Sequence, residues 1–207
     1  MIGRRHLRSL VAVLAGLLVA VLLAGCSGGR PEARSFPKRP TTGLASLLEK
    51  PPEFTAAGSS TWAGDYTPSV SQYLAEFYAP KARAEVRATL QQQGLQEIAH
   101  VLWVTDDQIQ NDIVLLRFDS AAGAAQRLAF ATSTNEGSET TPKSYRIDAP
   151  ASPVVFYSDG AVKDDYYLAK AYAQVGAYVV EMFVYAPGQV PRELIARWFN
   201  AQVAALA

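Results

Sequence analysis

The sequence predicts an α+β domain over residues 43–207, in which helices pack on one face of a largely antiparallel sheet. Two stretches are rich in β-branched and aromatic residues on either side of a short turn, a pattern typical of β-hairpins. Each stretch is followed by a segment with apolar residues at helical spacing. Hairpins that alternate with helices favour an α+β architecture, and their order indicates two hairpin–helix units.

The amino-terminal part of the domain is predicted to be helical. Residues 44–50 form a short helical candidate that Pro51 ends. Thr67 and Pro68 fit the N-cap and the first position of a longer helix. Pro80 ends or kinks that helix, and residues 81–93 continue as a helix that stops at Gly94. The first helix has these apolar residues on one face: Val70, Tyr73, Leu74, Phe77 and Tyr78.

The first hairpin–helix unit spans residues 95–132. Its strands are predicted at 95–104 and 108–118, around the turn Thr105-Asp106-Asp107. Asp119 or Ser120 then caps a helix over 121–132. The residues of this helix expected to face the core are Ala125, Leu128 and Ala129. Residues 133–144 have the composition of a loop.

The second unit follows a short strand at 154–157. Strands at 165–175 and 177–185 form its hairpin, and a helix runs from Pro191 to about Ala205. Small residues on one face of strand 165–175 suit close contact with a helix. The opposite face, which carries Tyr166 and Tyr172, is expected to be only partly covered.

The composition excludes several classes of protein. Hydrophobic residues make up 49% of the chain and charged residues 18%, with 19 Lys+Arg against 19 Asp+Glu. The high hydrophobic content excludes a disordered chain. The single cysteine excludes a disulfide scaffold. Residues 43–207 hold 12 basic and 18 acidic side chains, so no nucleic-acid partner is expected.

The amino terminus resembles the signal of a bacterial lipoprotein. Arg4, Arg5 and Arg8 precede an apolar run at 10–23 that is short for a membrane span. The run ends in Leu23-Ala24-Gly25-Cys26, which is similar to a lipobox. The resemblance implies cleavage after residue 25 and acylation of Cys26, with palmitate among the attached chains.

A lipoprotein signal predicts a lipid-anchored protein on the extracytoplasmic face of the cell membrane. Residues 1–25 are the signal peptide, 26–42 a flexible basic tether and 43–207 a single folded domain. Acyl chains hold a protein on a bilayer at about 0.8 kcal/mol per buried CH2. A plain signal peptide and an anchor helix remain alternatives, and both general secretion and twin-arginine export fit the paired arginines.

Two further segments resemble a known group. Residues 114–122, which lead into an alanine-rich helix, and residues 179–188 with the terminal helix are similar to uncharacterised actinobacterial envelope lipoproteins. Among these are the LpqN-like lipoproteins, with a PsbP/Mog1-type α/β sandwich. The resemblance covers most of 67–207 and implies a fold and a location, but no substrate.

The residues show no catalytic or cofactor motif. Hydrolase, phosphate-loop and dinucleotide glycine signatures are missing from the sequence, so we expect neither an enzyme nor a cofactor. We expect no metal site either, because the mature chain offers only His100 and a lipidated Cys26 as histidine and cysteine ligands. His100 lies in an apolar strand, which favours a core or edge histidine over a general base. Asp106, Asp107 and Asp112 match no calcium loop and are predicted to lie in a solvated turn.

A ligand site could be formed by aromatic residues. We predict a pocket between the loop 133–144 and an exposed sheet face that carries Trp103, Tyr166, Tyr172 and Tyr178. The alternative is that these are ordinary sheet residues.

Two classes of function follow from the sequence. The first is a non-enzymatic binding or scaffold domain of the cell envelope, with a protein, lipid or glycan partner. The second is an envelope enzyme with a dispersed carboxylate site, whose candidates are Asp159, Asp164 and Glu181.

Overall fold

The computed structural model describes residues 41–49, 66–105, 107–149 and 151–206. Within them, a 3-10 helix at Leu44–Leu47 and another at Pro80–Ala82 accompany the longer elements. The helices are α1 (Val70–Phe77), α2 (Arg83–Gln92), α3 (Ala121–Asn135) and α4 (Arg192–Ala204). The strands are β1 (Leu95–Val104), β2 (Gln110–Phe118), β3 (Lys143–Arg146), β4 (Val154–Tyr157), β5 (Tyr166–Val175) and β6 (Tyr178–Pro187).

The strands form one antiparallel sheet in the order β1-β2-β6-β5-β4-β3. The predicted α+β class and the antiparallel sheet are confirmed. The two hairpin–helix units are present as well, since β1-β2 leads into α3 and β5-β6 leads into α4. In the sheet, β2 pairs with β6, so the two hairpins meet at its centre.

The helices cover both faces of the sheet, whereas the sequence predicted one. One face packs against α4 and the first 3-10 helix, through a core that includes Trp103, Met182 and Phe199. The other face packs against α1, α2 and α3, and we call it the α1 face. It carries the even-numbered residues of β2 and the odd-numbered residues of β6, because successive side chains of a strand point to opposite sides. Both sides of the central strands are therefore core.

Helix α1 begins later than predicted. Ser69, rather than Thr67, is the N-cap, and its hydroxyl accepts a hydrogen bond from the Gln72 backbone N–H. The Gln72 side chain accepts one in return from the Ser69 N–H, which completes a capping box. This reciprocal pair satisfies two backbone N–H groups that have no acceptor within the helix. The helix therefore begins directly after Ser69, and Pro68 lies outside it.

Helix α3 has a different buried face from the predicted one. Gly123, Ala124, Arg127, Ala131 and Asn135 are buried, while Ala125 and Ala129 are exposed and Leu128 is half-buried. The close approach of α3 to the end of α2 decides this orientation. A Cβ atom on Gly123 would lie 2.1 Å from the Gln93 carbonyl oxygen, a contact that only glycine avoids. This orientation directs the charged side chain of Arg127 into the core.

The two outer strands of the sheet differ in length and environment. Strand β3 has four residues, none of which is fully buried, and the sequence did not predict it; the predicted loop 133–144 covers its first two residues. Strand β1 has ten residues, and along its outer side the His100 backbone N–H donates to the Tyr66 carbonyl at 3.1 Å. The Leu44 N–H donates to a Glu97 side-chain oxygen on the same strand.

The predicted signal peptide, Cys26 and most of the predicted tether lie outside the described residues. Among the helices of the described ranges, none combines the length and the apolarity that a membrane crossing needs.

Candidate functional site

The four aromatic residues predicted as a ligand site do not share one exposed face. Trp103 is fully buried beneath α4, with its ring edge-on to Trp198 at 5.2 Å between centroids. Tyr178 packs against the same core and is half-buried. Tyr172 lies on the opposite face, 4% exposed, where Asn135 of α3 donates to its hydroxyl at 3.3 Å. The expectation of an open sheet face was wrong because a helix covers each side.

Only Tyr172 lines a cavity near the predicted position. This cavity of about 210 Å³ lies between α1, α3 and the sheet, and Ser138 of the segment 133–144 is also in its lining. Tyr166 is half-buried at the start of β5 and does not line that cavity.

A larger cleft opens on the opposite face of the sheet, the face that packs against α4. Its volume is about 370 Å³, and it lies among β3, β4, the start of β5 and the start of α4. We call it the tyrosine cleft, because Tyr145, Tyr157 and Tyr167 line it. Two cationic side chains, Lys143 and Arg192, stand in the same lining. This combination of aromatic faces and positive charge suits an anionic ligand with a flat ring.

The polar groups of the tyrosine cleft include some without a protein partner. The Arg192 guanidinium lies over the Tyr145 ring at 4.4 Å, a cation–π contact. The Tyr145 hydroxyl is buried and has no hydrogen-bond partner among the described residues. Partial burial raises the pKa of Tyr145, and the nearby Arg192 opposes that rise. Its hydroxyl therefore stays protonated and can act as a donor.

The amino-terminal end of α4 borders the tyrosine cleft and carries one cation and one anion in its first turn, Arg192 and Glu193. Pro191 is the N-cap residue and makes no side-chain capping hydrogen bond. The first backbone N–H groups of a helix lack intrahelical acceptors, and the helix dipole makes that end favourable for an anion. Lys143 also forms a surface ion pair with Asp159, which a competing anion can displace.

A buried ion pair lies on the α1 face. The Arg127 guanidinium donates two hydrogen bonds to Glu181 Oε1, at 2.9 and 2.6 Å, and both residues are almost fully buried. The same guanidinium donates to the hydroxyls of Tyr73 and Tyr78, and the Tyr73 hydroxyl donates to Glu181 Oε2 at 2.8 Å. The charges balance within this cluster, which is typical of a structural role.

A second buried cluster on the α1 face contains His100. Its Nε2 lies 2.9 Å from Asp112 Oδ1, and its Nδ1 lies 3.7 Å from Glu76 Oε2. His100 and Asp112 are each 1% exposed, whereas the Glu76 side chain is 42% exposed. The prediction of a solvated turn was therefore wrong for Asp112, which lies inside β2. Burial raises the pKa of Glu76, with His100 acting in the opposite direction and Asp112 adding to the rise.

The three carboxylates proposed for an enzyme do not come together. Glu181 is buried in the ion pair with Arg127, and Asp159 is 59% exposed beside Lys143. Asp164 is 77% exposed, next to Lys163. Glu181 is therefore shielded from solvent, whereas the other two carboxylates are open to it.

Comparison with solved structures gives a loose structural similarity. No protein-family model and no curated protein sequence matches the chain. Among solved structures, the extracellular domain of PknH from Mycobacterium tuberculosis is similar, at 10% identity and a TM-score of 0.44. That alignment covers 77% of this chain and 92% of the other. The predicted PsbP/Mog1-type assignment finds no support in these comparisons.

Proposed function

We propose that this protein is an exported lipoprotein whose domain binds an anionic glycan or glycolipid headgroup in the tyrosine cleft. The observation that carries the proposal is the grouping of Lys143, Arg192 and an uncapped helix start with three tyrosine rings. A phosphate or carboxylate would contact the cations and the helix N–H groups, while a sugar or other ring would stack on a tyrosine. The proposed role is binding, and it is supported by a lining in which no histidine or cysteine occurs among the described residues.

The location rests on the sequence of the amino terminus. A lipobox-like segment ending in Cys26, followed by a basic tether, favours acylation and retention at the outer surface of the membrane. Incorporation of an alkyne-tagged palmitate into cells that express the full chain tests this step. Labelling should be lost in Cys26→Ser, and labelling that persists in that variant would overturn the anchor.

The binding step is tested by native mass spectrometry of the full chain in detergent, after incubation with a lipid and glycan extract of an actinobacterial envelope. We expect an adduct of defined mass whose amount falls in Arg192→Gln and falls with added salt, since charge–charge attraction is screened. Arg197→Gln is the matched control, because Arg197 is also exposed on α4 but lies over Trp198, outside the cleft lining.

Either outcome of that experiment is informative. An adduct that Arg192→Gln removes and Arg197→Gln retains supports the tyrosine cleft as the ligand site. An unmodified mass, or an adduct equally present in both variants, would contradict it and favour a scaffold that binds another protein.

A further inference from the structure

We propose that the cavity beside α3 binds a small aromatic carboxylate, with its acid group on Lys170 and its ring among phenylalanine side chains. This cavity of about 210 Å³, which we call the α3 cavity, lies between α1, α3 and the sheet. It is on the α1 face, opposite the tyrosine cleft, and the two linings share no residue. The proposal therefore does not depend on the function proposed for the tyrosine cleft.

Lys170 brings a positive charge to the α3 cavity without an anionic partner. Its side chain is part of the lining, and its ammonium group donates to Asn135 Oδ1 at 2.9 Å. It forms no ion pair with any of the described residues. An ammonium group has three donors, so two remain for a ligand. Burial lowers the pKa of Lys170 and the charge of Glu181 opposes that shift, so a bound carboxylate would favour the charged amine.

Glu181 does not serve as that partner, because hydrogen bonds already occupy both of its oxygens. Oε1 accepts two hydrogen bonds from Arg127, and Oε2 accepts one from Tyr73. Arg127 in turn has a buried Nη1 without a hydrogen-bond partner among the described residues. Its guanidinium lies 5.6 Å from the centre of the Phe130 ring, which lines the α3 cavity. Positive groups with unused donors are therefore present in the cavity wall and next to it.

Asn135 fixes the polar end of the α3 cavity. Its amide nitrogen donates to the Ala131 carbonyl at 2.7 Å and to the Tyr172 hydroxyl at 3.3 Å, while its Oδ1 accepts from Lys170. Burial raises the pKa of Tyr172 well above its ordinary value, so its hydroxyl keeps its proton and can donate to a ligand. The hydroxyl and the ammonium group are held by the same amide, which brings two donors to one end of the cavity.

The apolar part of the α3 cavity suits one aromatic ring. Phe77 and Phe183 stack with 4.7 Å between their ring centroids, and Tyr172 stands edge-on to Phe183 at 6.3 Å. Phe130 adds a half-buried ring to the lining. Aromatic rings favour offset-stacked or edge-to-face contacts with one another. An apolar cavity of about 150 Å³ holds benzene, so the α3 cavity has room for a ring with one acid group.

The test compares benzoate with benzamide, a neutral molecule of the same shape. Both are titrated into the full chain in detergent, and the broadening of their proton NMR signals, relative to detergent alone, gives the two affinities. We expect Lys170→Met to lower the ratio of benzoate affinity to benzamide affinity about tenfold, because only benzoate pairs with the charge. Benzamide binding that persists shows that the variant keeps its fold. Lys163→Met is the control, since Lys163 is 76% exposed and lies outside the lining.

The position of benzoate is measured by NOEs between its protons and the rings of the protein. Phe77, Phe130 and Phe183 line the α3 cavity, whereas no phenylalanine among the described residues lines the tyrosine cleft. We therefore expect NOEs to phenylalanine rings. NOEs to tyrosine rings alone would place benzoate in the tyrosine cleft and overturn the proposal. Benzoate that does not bind, or an affinity ratio that is the same in Lys170→Met and Lys163→Met, would overturn it as well.

Discussion

Asp112 and Glu181 are two buried carboxylates on paired strands of the same sheet face, and their charges are compensated differently. Glu181 has the Arg127 guanidinium beside it and accepts a further hydrogen bond from Tyr73. Asp112 has a histidine, an amide and a second carboxylate nearby. The stacked rings of Phe77 and Phe183, 4.7 Å apart, lie on this face as well, with Phe183 opposite Asp112 in the strand register. In the first cluster a permanent cation balances the carboxylate, although Arg127 Nη1 is buried without a hydrogen-bond partner among the described residues, whereas the second cluster contains no lysine or arginine.

Removing one charge of the Arg127–Glu181 ion pair should have the largest effect on stability. Arg127→Met leaves Glu181 buried without its cation and should lower the free energy of unfolding by about 3–5 kcal/mol. Urea denaturation measures the change. The double variant Arg127→Met/Glu181→Met should recover most of the loss, because no buried charge remains. Equal losses in the single and double variants would show that packing, rather than charge, dominates this cluster.

Alkaline pH should weaken the same region to an intermediate extent. Burial raises the pKa values of Tyr73 and Tyr172 well above their ordinary value; for Tyr73 the charge of Glu181 adds to the rise and Arg127 opposes it. Tyrosines of the unfolded chain ionise at about pH 10 while these two stay neutral in the fold. Their contribution to stability is therefore complete below about pH 10 and is lost as the pH rises beyond it.

Urea denaturation at a series of pH values measures this decline. The slope above about pH 10 should be smaller in Tyr172→Phe, since phenylalanine cannot ionise in either state. A slope that is the same in Tyr172→Phe and in the unaltered chain would rule out this residue as a source of the alkaline sensitivity.

A substitution at the edge of the cluster formed by Glu76, His100 and Asp112 should have the smallest effect on stability. Glu76→Gln should change the free energy of unfolding by less than about 0.5 kcal/mol, as surface substitutions do. The carboxylate is half-exposed, and the repulsion from Asp112 offsets its attraction to His100. A loss of more than about 1 kcal/mol would mean that the Glu76 carboxylate makes a net stabilising contact with this cluster.

Local sequence patterns were sufficient for most of the fold. Strand β4 was predicted at its observed limits, and the two long hairpins differ from prediction by a few residues at their ends. Strand β3 was missed because Lys143–Arg146 shows no run of apolar residues. The sequence did not predict that helices cover both faces of the sheet, because the long apolar strands were interpreted as half-exposed. Runs rich in Val, Leu and Ile also fit strands that are buried on both sides.

The candidate sites were harder to predict, because their residues meet only in three dimensions. Glu76 and His100 are separated by 24 positions, and no spacing rule links them. Arg127 was missed because only apolar residues of this helix, Ala125, Leu128 and Ala129, were predicted to face the core. Gly123 carried the missing signal, since a glycine within a helix marks a close approach, and Arg127 is one turn further along the same face.

The outer strands of the sheet have a consequence for how copies of the domain meet. An exposed strand edge offers free N–H and C=O groups to a second chain, and short or charged edges reduce that risk. Strand β3 is only four residues long and carries Lys143 and Arg146, while the outer side of β1 is approached by Tyr66 and Leu44. Molecules crowded side by side would therefore find poor templates for sheet extension, and aggregation through these two strands is disfavoured.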